Sequence, residues 1–151
     1  VQALLAGLRI AGAATDDDLA AAGARAETKI RAVLNDQALA RADRSPYVAP
    51  FMAEDMGLRD HHRTIRKACE ERRKLKMDYG DSAETLTTRT IWPIALLRWQ
   101  SVWTFYAWCE LREDHRHFRV SRIKGLETLD EVFPDNATSD VREMARRFSE
   151  R

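Results

Sequence analysis

Arg112-Glu-Asp-His-Arg-His-Phe-Arg-Val-Ser-Arg-Ile123 follows closely on Val102-Trp-Thr-Phe-Tyr-Ala-Trp-Cys109, and the reading of these two stretches decides the fold. In the first, Trp103, Phe105, Ala107, Cys109 and Leu111 alternate with Thr104, Tyr106, Trp108, Glu110 and Arg112. Such alternation marks a half-buried strand, and the first set is the expected core face. In the second, arginines recur at 112, 116, 119 and 122, interleaved with Phe118, Val120 and Ile123. The pattern predicts a last strand from about Arg116 to Gly125. Arg116, Phe118, Val120 and Arg122 would share one face, and His117, Arg119 and Ser121 the other. A guanidinium is a planar fork that matches phosphate or carboxylate oxygens better than a lysine point charge does. Arginines placed here are either paired inside the fold or stand ready for an anion.

Upstream, the period is also two. Leu75, Met77 and Tyr79 alternate with Lys74, Lys76 and Asp78, and Gly80-Asp-Ser82 reads as a turn. Glu84 to Trp99 is rich in threonine and branched residues. Pro93 within it implies an edge, a bulge or a bend, because proline cannot donate to a ladder. Four or five short strands after one helix suit a small antiparallel barrel.

That helix is expected from about Leu58 to Arg73. Leu58, Ile65, Ala68 and Cys69 form its apolar stripe, and Arg59, Arg63, Arg66, Lys67, Arg72 and Arg73 make the rest basic. A basic helix either contacts nucleic acid or simply shows a solvated face. His61 and His62 are adjacent, diverge by roughly 100° on a helix, and so chelate poorly. Before it, Ser45 to Gly57 reads as a linker or ordered loop, broken by Pro46, Pro50 and Gly57.

Residues 1 to about 43 read as helical. Thr15-Asp-Asp-Asp18 looks like a helix start, with Thr15 as N-cap and three carboxylates at the positive end of the dipole. Leu19, Ala22, Ala26, Ile30 and Val33 give an amphipathic stripe, and Gly7 and Gly12 would allow close helix approach. At the other end, Ser139-Asp140 would cap a final helix from Val141 to about Phe148.

Composition excludes several classes. Hydrophobic residues make up 44% and charged residues 32% of the 151, with a formal net charge of +1. A chain this near neutrality has no global pull toward nucleic acid, so any anion site is a local patch. Cys69 and Cys109 lie far apart and read as ordinary reduced thiols of a cytoplasmic protein. No apolar run approaches the ~20 residues needed to span a bilayer. There is no Gly-rich phosphate loop, no metal-ligand spacing and no Ser-His-Asp arrangement. Neither an enzyme, a cofactor nor a metal is therefore expected.

The same residues carry a resemblance. Thr88-Arg89-Thr-Ile-Trp-Pro93, Trp103-Thr-Phe105, Trp108-Cys-Glu-Leu-Arg112 and Phe118-Arg-Val-Ser-Arg-Ile123 resemble the WYL domain over roughly residues 60 to 134. Thr104 and Phe105 stand where that family's name places Tyr and Leu, and Tyr106 is the neighbouring phenol. The resemblance implies an Sm-like small β-barrel in the sensory half of a bacterial transcriptional regulator. It further implies binding of nucleic-acid strands or nucleotide-like effectors, and a helix-turn-helix that reads DNA and is absent from this chain.

The expected architecture is thus α+β. It comprises a helical subdomain and linker at 1–57, a WYL domain at 58–134 with a basic helix and small barrel, and a C-terminal helix at 135–151. The expected ligand-binding residues are Arg89, Arg112, Arg116, Arg119 and Arg122, with Tyr106 and Trp108 as stacking surfaces for bases. The alternative for the arginines is internal pairing with Glu110, Asp114 or Glu127 in a structural or dimerisation module. For the aromatics it is packing under the N-terminal helices. A homodimer is expected, because the stripe from Leu19 to Val33 is too apolar to face water uncovered.

Overall fold

Three turns of this chain are made by residues that carry side chains in a left-handed backbone conformation. Arg72 (φ 54°), Gln100 (φ 53°) and Glu113 (φ 48°) all occupy it, although glycine would fit there at less cost. The structure, a computed structural model, describes residues 1–44, 56–80, 85–100 and 102–134. The expected C-terminal helix and most of the Ser45–Gly57 loop lie outside the described residues. The chain divides into two compact units, Val1–Arg63 and Thr64–Arg151.

In the first unit, α1 (Gln2–Ala14) and α2 (Asp17–Ala32) form a hairpin, followed by α3 (Asp36–Asp43) and the start of α4 (Met56–Glu71). The N-cap of α2 is Asp16, not Thr15. Asp16 has the extended backbone a cap requires, and its Oδ1 accepts the backbone N–H groups of Asp18 and Leu19. Thr15 instead closes α1, donating its hydroxyl to the Ala11 carbonyl at 2.7 Å.

The acidic triplet is then taken up by α4. Asp16 is wholly buried and its Oδ2 lies 3.0 Å from His62 Nδ1. Arg59 binds Asp17 Oδ1 at 2.8 Å and donates to the Gly12 and Ala13 carbonyls, two acceptors left open at the end of α1. Arg63 reaches the other Asp17 oxygen at 3.2 Å. The close helix approach expected of Gly7 and Gly12 does not require glycine: a Cβ at Gly12 would meet Ala20 Cα at 3.7 Å, an ordinary contact, and at Gly7 the space is open. The α2 stripe is not a core. No α2 residue is buried, and Leu19 and Val33 are 39% and 83% exposed.

In the second unit, α4 buries Ile65 and Ala68, and Arg72 then turns the chain into the first strand. The strands are β1 (Arg73–Gly80), β2 (Leu86–Trp99), β3 (Val102–Cys109), β4 (Asp114–Arg119) and β5 (Ile123–Val132). They form one antiparallel sheet in the order β4-β3-β2-β1-β5. Pro93 lies in the second strand of the sheet, with strands on both sides, and the register shifts between Pro93 and Ala95. A bulge there lets a long strand bend.

The inner face carries Leu75, Met77, Ile91, Phe105, Ala107, Cys109 and Phe118, all essentially inaccessible. Tyr79 and Phe118 meet edge to face at 5.1 Å, and the Arg119 backbone N–H donates to the Tyr79 hydroxyl at 3.0 Å. These contacts link β1 to β4, which lie three places apart in the sheet, so the sheet curls over its own core as an Sm-like small barrel. A 3-10 turn, Val120–Arg122, connects β4 to β5.

Two expectations about this unit are corrected. The arginine-bearing stretch is not one strand, because the 3-10 turn interrupts its alternation after Arg119. The core face of β3 is shorter than alternation implied. Trp103 is only half-buried beside the hairpin tip, and Leu111, beyond the strand, is 57% exposed.

Candidate functional site

Strand register places each expected site residue. Opposite β3, Thr104 pairs with Arg119, Tyr106 with His117, Ala107 with Arg116, and Trp108 with His115. Paired residues share a face, so Arg116 belongs to the inner row and Arg119 to the outer one. Arg112 sits in the β3–β4 turn, at the opposite end of β4 from Arg119. Arg89 pairs with Met77 on the inner face of β2.

The expected cluster therefore separates into two groups. At one end of the barrel, the Arg89 guanidinium lies 5.8 Å from the Tyr79 ring centroid and 5.7 Å from that of Phe118. Its Nε–H donates to the Thr87 hydroxyl at 2.9 Å, and that hydroxyl donates to the Tyr79 carbonyl. Arg119 follows Phe118 directly, and the Arg122 carbonyl lies beside Gly80 at the end of β1. Arg89 therefore overlies the residue before Arg119, Arg119 itself belongs to the outer row, and the backbone of Arg122 passes the end of β1. Arg112 and Arg116 stand at the other end of β4, where Arg116 Nε is 3.4 Å from the exposed Asp114 carboxylate.

Of the carboxylates offered as internal partners, Asp114 takes Arg116 and Glu110 is engaged elsewhere. Glu110 accepts from Lys74 at 2.8 Å and from the Trp92 indole at 2.7 Å. Hydrogen bonds from Lys74 and then Trp92 hold its carboxyl below the usual carboxylate range. Lys74 also binds Glu131 at 2.8 Å, and these two carboxylates raise its own pKa. Arg112, Arg119 and Arg122 make no side-chain hydrogen bond or ion pair among the described residues. Arg9, Arg31, Arg59, Arg63, Arg66 and Arg73, by contrast, are all ion-paired.

Tyr106 and Trp108 lie on the outer face, both half-buried. Two histidines not counted among the expected site residues join them. The His115 ring lies parallel to Tyr106 (8°, 5.0 Å) and edge-on to Trp108 (77°, 5.1 Å), and His117 tilts against Tyr106 at 5.0 Å. Trp92 continues the row 6.0 Å from Trp108 and is itself stacked on Phe133. At the far end, the Trp99 indole N–H donates to the Thr104 hydroxyl, beside Arg119. The available signal was the spacing of His115, His117 and Arg119 at alternate positions, which becomes useful only once the β3–β4 register is known.

Nothing in the arrangement points to thiol chemistry. Cys109 is wholly buried, and burial pushes the Cys69 thiol up to about 12. Among the described residues, no group of three or more His, Cys, Asp or Glu could hold a metal ion. No described helix is long and apolar enough to cross a membrane.

A basic helix leading into a curled five-stranded antiparallel sheet, with a 3-10 turn before the last strand, defines a small Sm-like barrel domain. Residues 60–128 match the family model of the WYL domain. Among solved structures, the chain is similar to Proteasome accessory factor B/C (PafBC) of Arthrobacter aurescens, with a TM-score of 0.51 and 27% sequence identity. That similarity covers 58% of this chain and 14% of the other, so the present chain spans a small part of that protein's length. No curated protein matches the chain.

Proposed function

We propose that this barrel domain is a WYL domain and the ligand-sensing, regulatory part of a bacterial transcriptional regulator. In this reading it binds a phosphate-bearing effector, a nucleotide or a single-stranded nucleic acid, through its arginine-rich surface. The role is regulatory and not catalytic, and DNA is read by a helix-turn-helix outside this chain. The observation that carries the reading is the unpaired state of Arg119 and Arg122 among the described residues. Arg119 directly follows Phe118, over whose ring the Arg89 guanidinium lies at 5.7 Å. A guanidinium with no carboxylate partner is a ready fork for an anion. If these arginines fixed the barrel, as the structural alternative requires, Glu110, Asp114 or Glu127 would engage them. Glu110 is held by Lys74 and Trp92 instead.

The test is binding of short single strands and nucleotides to the intact chain across a salt series. Neutralised phosphates release counterions, so affinity should fall steeply as salt rises, with a slope of about 0.7 per phosphate contacted on a single strand. Arg119→Ala should weaken binding and flatten the slope while leaving thermal stability unchanged. Equal loss of binding and stability would favour the structural alternative.

A specific observation also favours self-association. Leu4 and Ile10 of α1 and Leu19 of α2 are 62%, 52% and 39% exposed, an apolar surface that a second copy would cover. Light scattering should show a dimer, and a monomer at high micromolar concentration would remove that expectation.

A further inference from the structure

We propose that Tyr106, His117 and Arg119 form one nucleotide-contacting row on the outer face of β3 and β4, in which His117 makes binding depend on protonation. This deepens the anion-binding reading above and rests on it. The row follows from register. His117 and Arg119 are alternate residues of an edge strand and project to the same side, and Tyr106 lies directly opposite His117. The three supply what one nucleotide unit presents. The phenol is an aromatic group at which a base can sit beside the histidine rings, the guanidinium a fork for a phosphate, and the imidazole a second donor whose charge is conditional.

The surroundings favour control by protons. On this face β3 contributes the Tyr106 phenol and the Thr104 hydroxyl, and β2 places Ala95 alongside Tyr106, so neither brings a carboxylate to His117. On β4 itself the neighbours are His115 and Arg119, and Asp114 belongs to the opposite row. Glu110, four residues along β3, is committed to Lys74 and Trp92. Partial burial pushes the His117 imidazole down from its ordinary value, which favours the neutral form in the free protein. A phosphate arriving at Arg119 stabilises the imidazolium and raises that pKa. The gain in binding is therefore complete below the free-state pKa and is lost as pH rises through the bound-state pKa. His115 plays a positioning part, lying parallel to Tyr106 and edge-on to Trp108 and so holding both rings in place.

The experiment uses the full chain and a rhodamine-labelled oligothymidylate. Its phosphodiesters and bases do not titrate between about pH 6 and pH 8, so any pH dependence belongs to the protein. Wild type should bind severalfold more tightly at the acid end, about tenfold being the limit when a ligand raises one pKa by about one unit. His117→Gln should bind weakly at both ends, and His117→Lys tightly at both. An abasic strand of equal length should show the same pH dependence at lower affinity, because it keeps the phosphates and loses the stacking. Persistence of the wild-type pH dependence in His117→Gln overturns the assignment to His117. Binding that ignores pH in wild type overturns this proposal alone. An absence of binding at every pH overturns it together with the anion-binding reading.

Discussion

Truncating Phe105 to alanine should be the most damaging single change in the barrel sheet. The side chain is wholly buried and stacks on Phe118 with centroids 5.4 Å apart, and Phe118 in turn meets Tyr79. A buried phenylalanine removes roughly 150–250 Å² from water, worth about 5 kcal/mol as an upper value at ~25 cal/mol per Å². Residual burial in the unfolded chain and the retained alanine lower this to about 3–4 kcal/mol. Loss of the ring pair restores about 1 kcal/mol, so the expected cost is about 4 kcal/mol, within the usual range for such truncations. Trp92, Trp99, Trp103 and Trp108 are the four tryptophans of the chain, and all lie in the second unit. Their fluorescence during urea unfolding therefore reports that unit without interference from the helical one. Alternation alone puts Trp103 on the same core face, where it would carry an equally large cost. Half-buried, with the Arg98 guanidinium 5.5 Å from its ring, Trp103 should instead cost about 1–2 kcal/mol when truncated. A Phe105→Ala loss smaller than that of Trp103→Ala would show the assigned face of β3 to be wrong.

Asp16→Ala removes the α2 cap and leaves the buried His62 ring without its partner, so it should cost about 2 kcal/mol or more, read by loss of helical circular dichroism on heating. Gln100→Gly and Glu113→Gly each relieve a left-handed backbone and should raise stability by up to about 1 kcal/mol in the same denaturation assay. Glu110 has a folded-state pKa below its unfolded value. Its stabilising contribution is therefore present above the ordinary carboxylate range and is lost as pH falls through the folded value. Glu110→Gln should accordingly flatten the fall of melting temperature on acidification below about pH 4, measured by thermal scans across the acid range.

How much of this was legible depended on whether the signal was local. Alternation in Leu75–Tyr79 and Phe105–Cys109 identified strands and their buried faces because period two is written into consecutive residues. Pro93 announced a bulge for the same reason. The hairpin turns at Gln100 and Glu113 were not announced, since neither position carries the glycine or asparagine that left-handed backbone favours. Without those turns the β3–β4 register was unknown, and the opposition of His115 and His117 to Trp108 and Tyr106 could not be read. Thr15 and Asp16 are both good caps, and only the backbone at the α1–α2 corner distinguishes them.

The arginine spacing misled in an instructive way. Residues 116, 119 and 122 recur every third position, a period belonging neither to a strand nor to one face of one. The structure resolves it by changing backbone type midway, with Arg116 and Arg119 on opposite faces of β4 and Arg122 in a 3-10 turn. Curl of the sheet then lays Arg89 over Phe118, the residue before Arg119. β4 places Arg116 and Arg119 roughly 10 Å apart along the strand, and Arg112 further still, beyond its first residue. A compact anion bound at Arg119 would leave Arg112 and Arg116 uninvolved. A strand laid along the edge of β4 would engage both groups, with the Tyr106 and Trp108 rings between them. Alternation already denied the arginines a single pocket, and engagement of all of them would require an extended ligand.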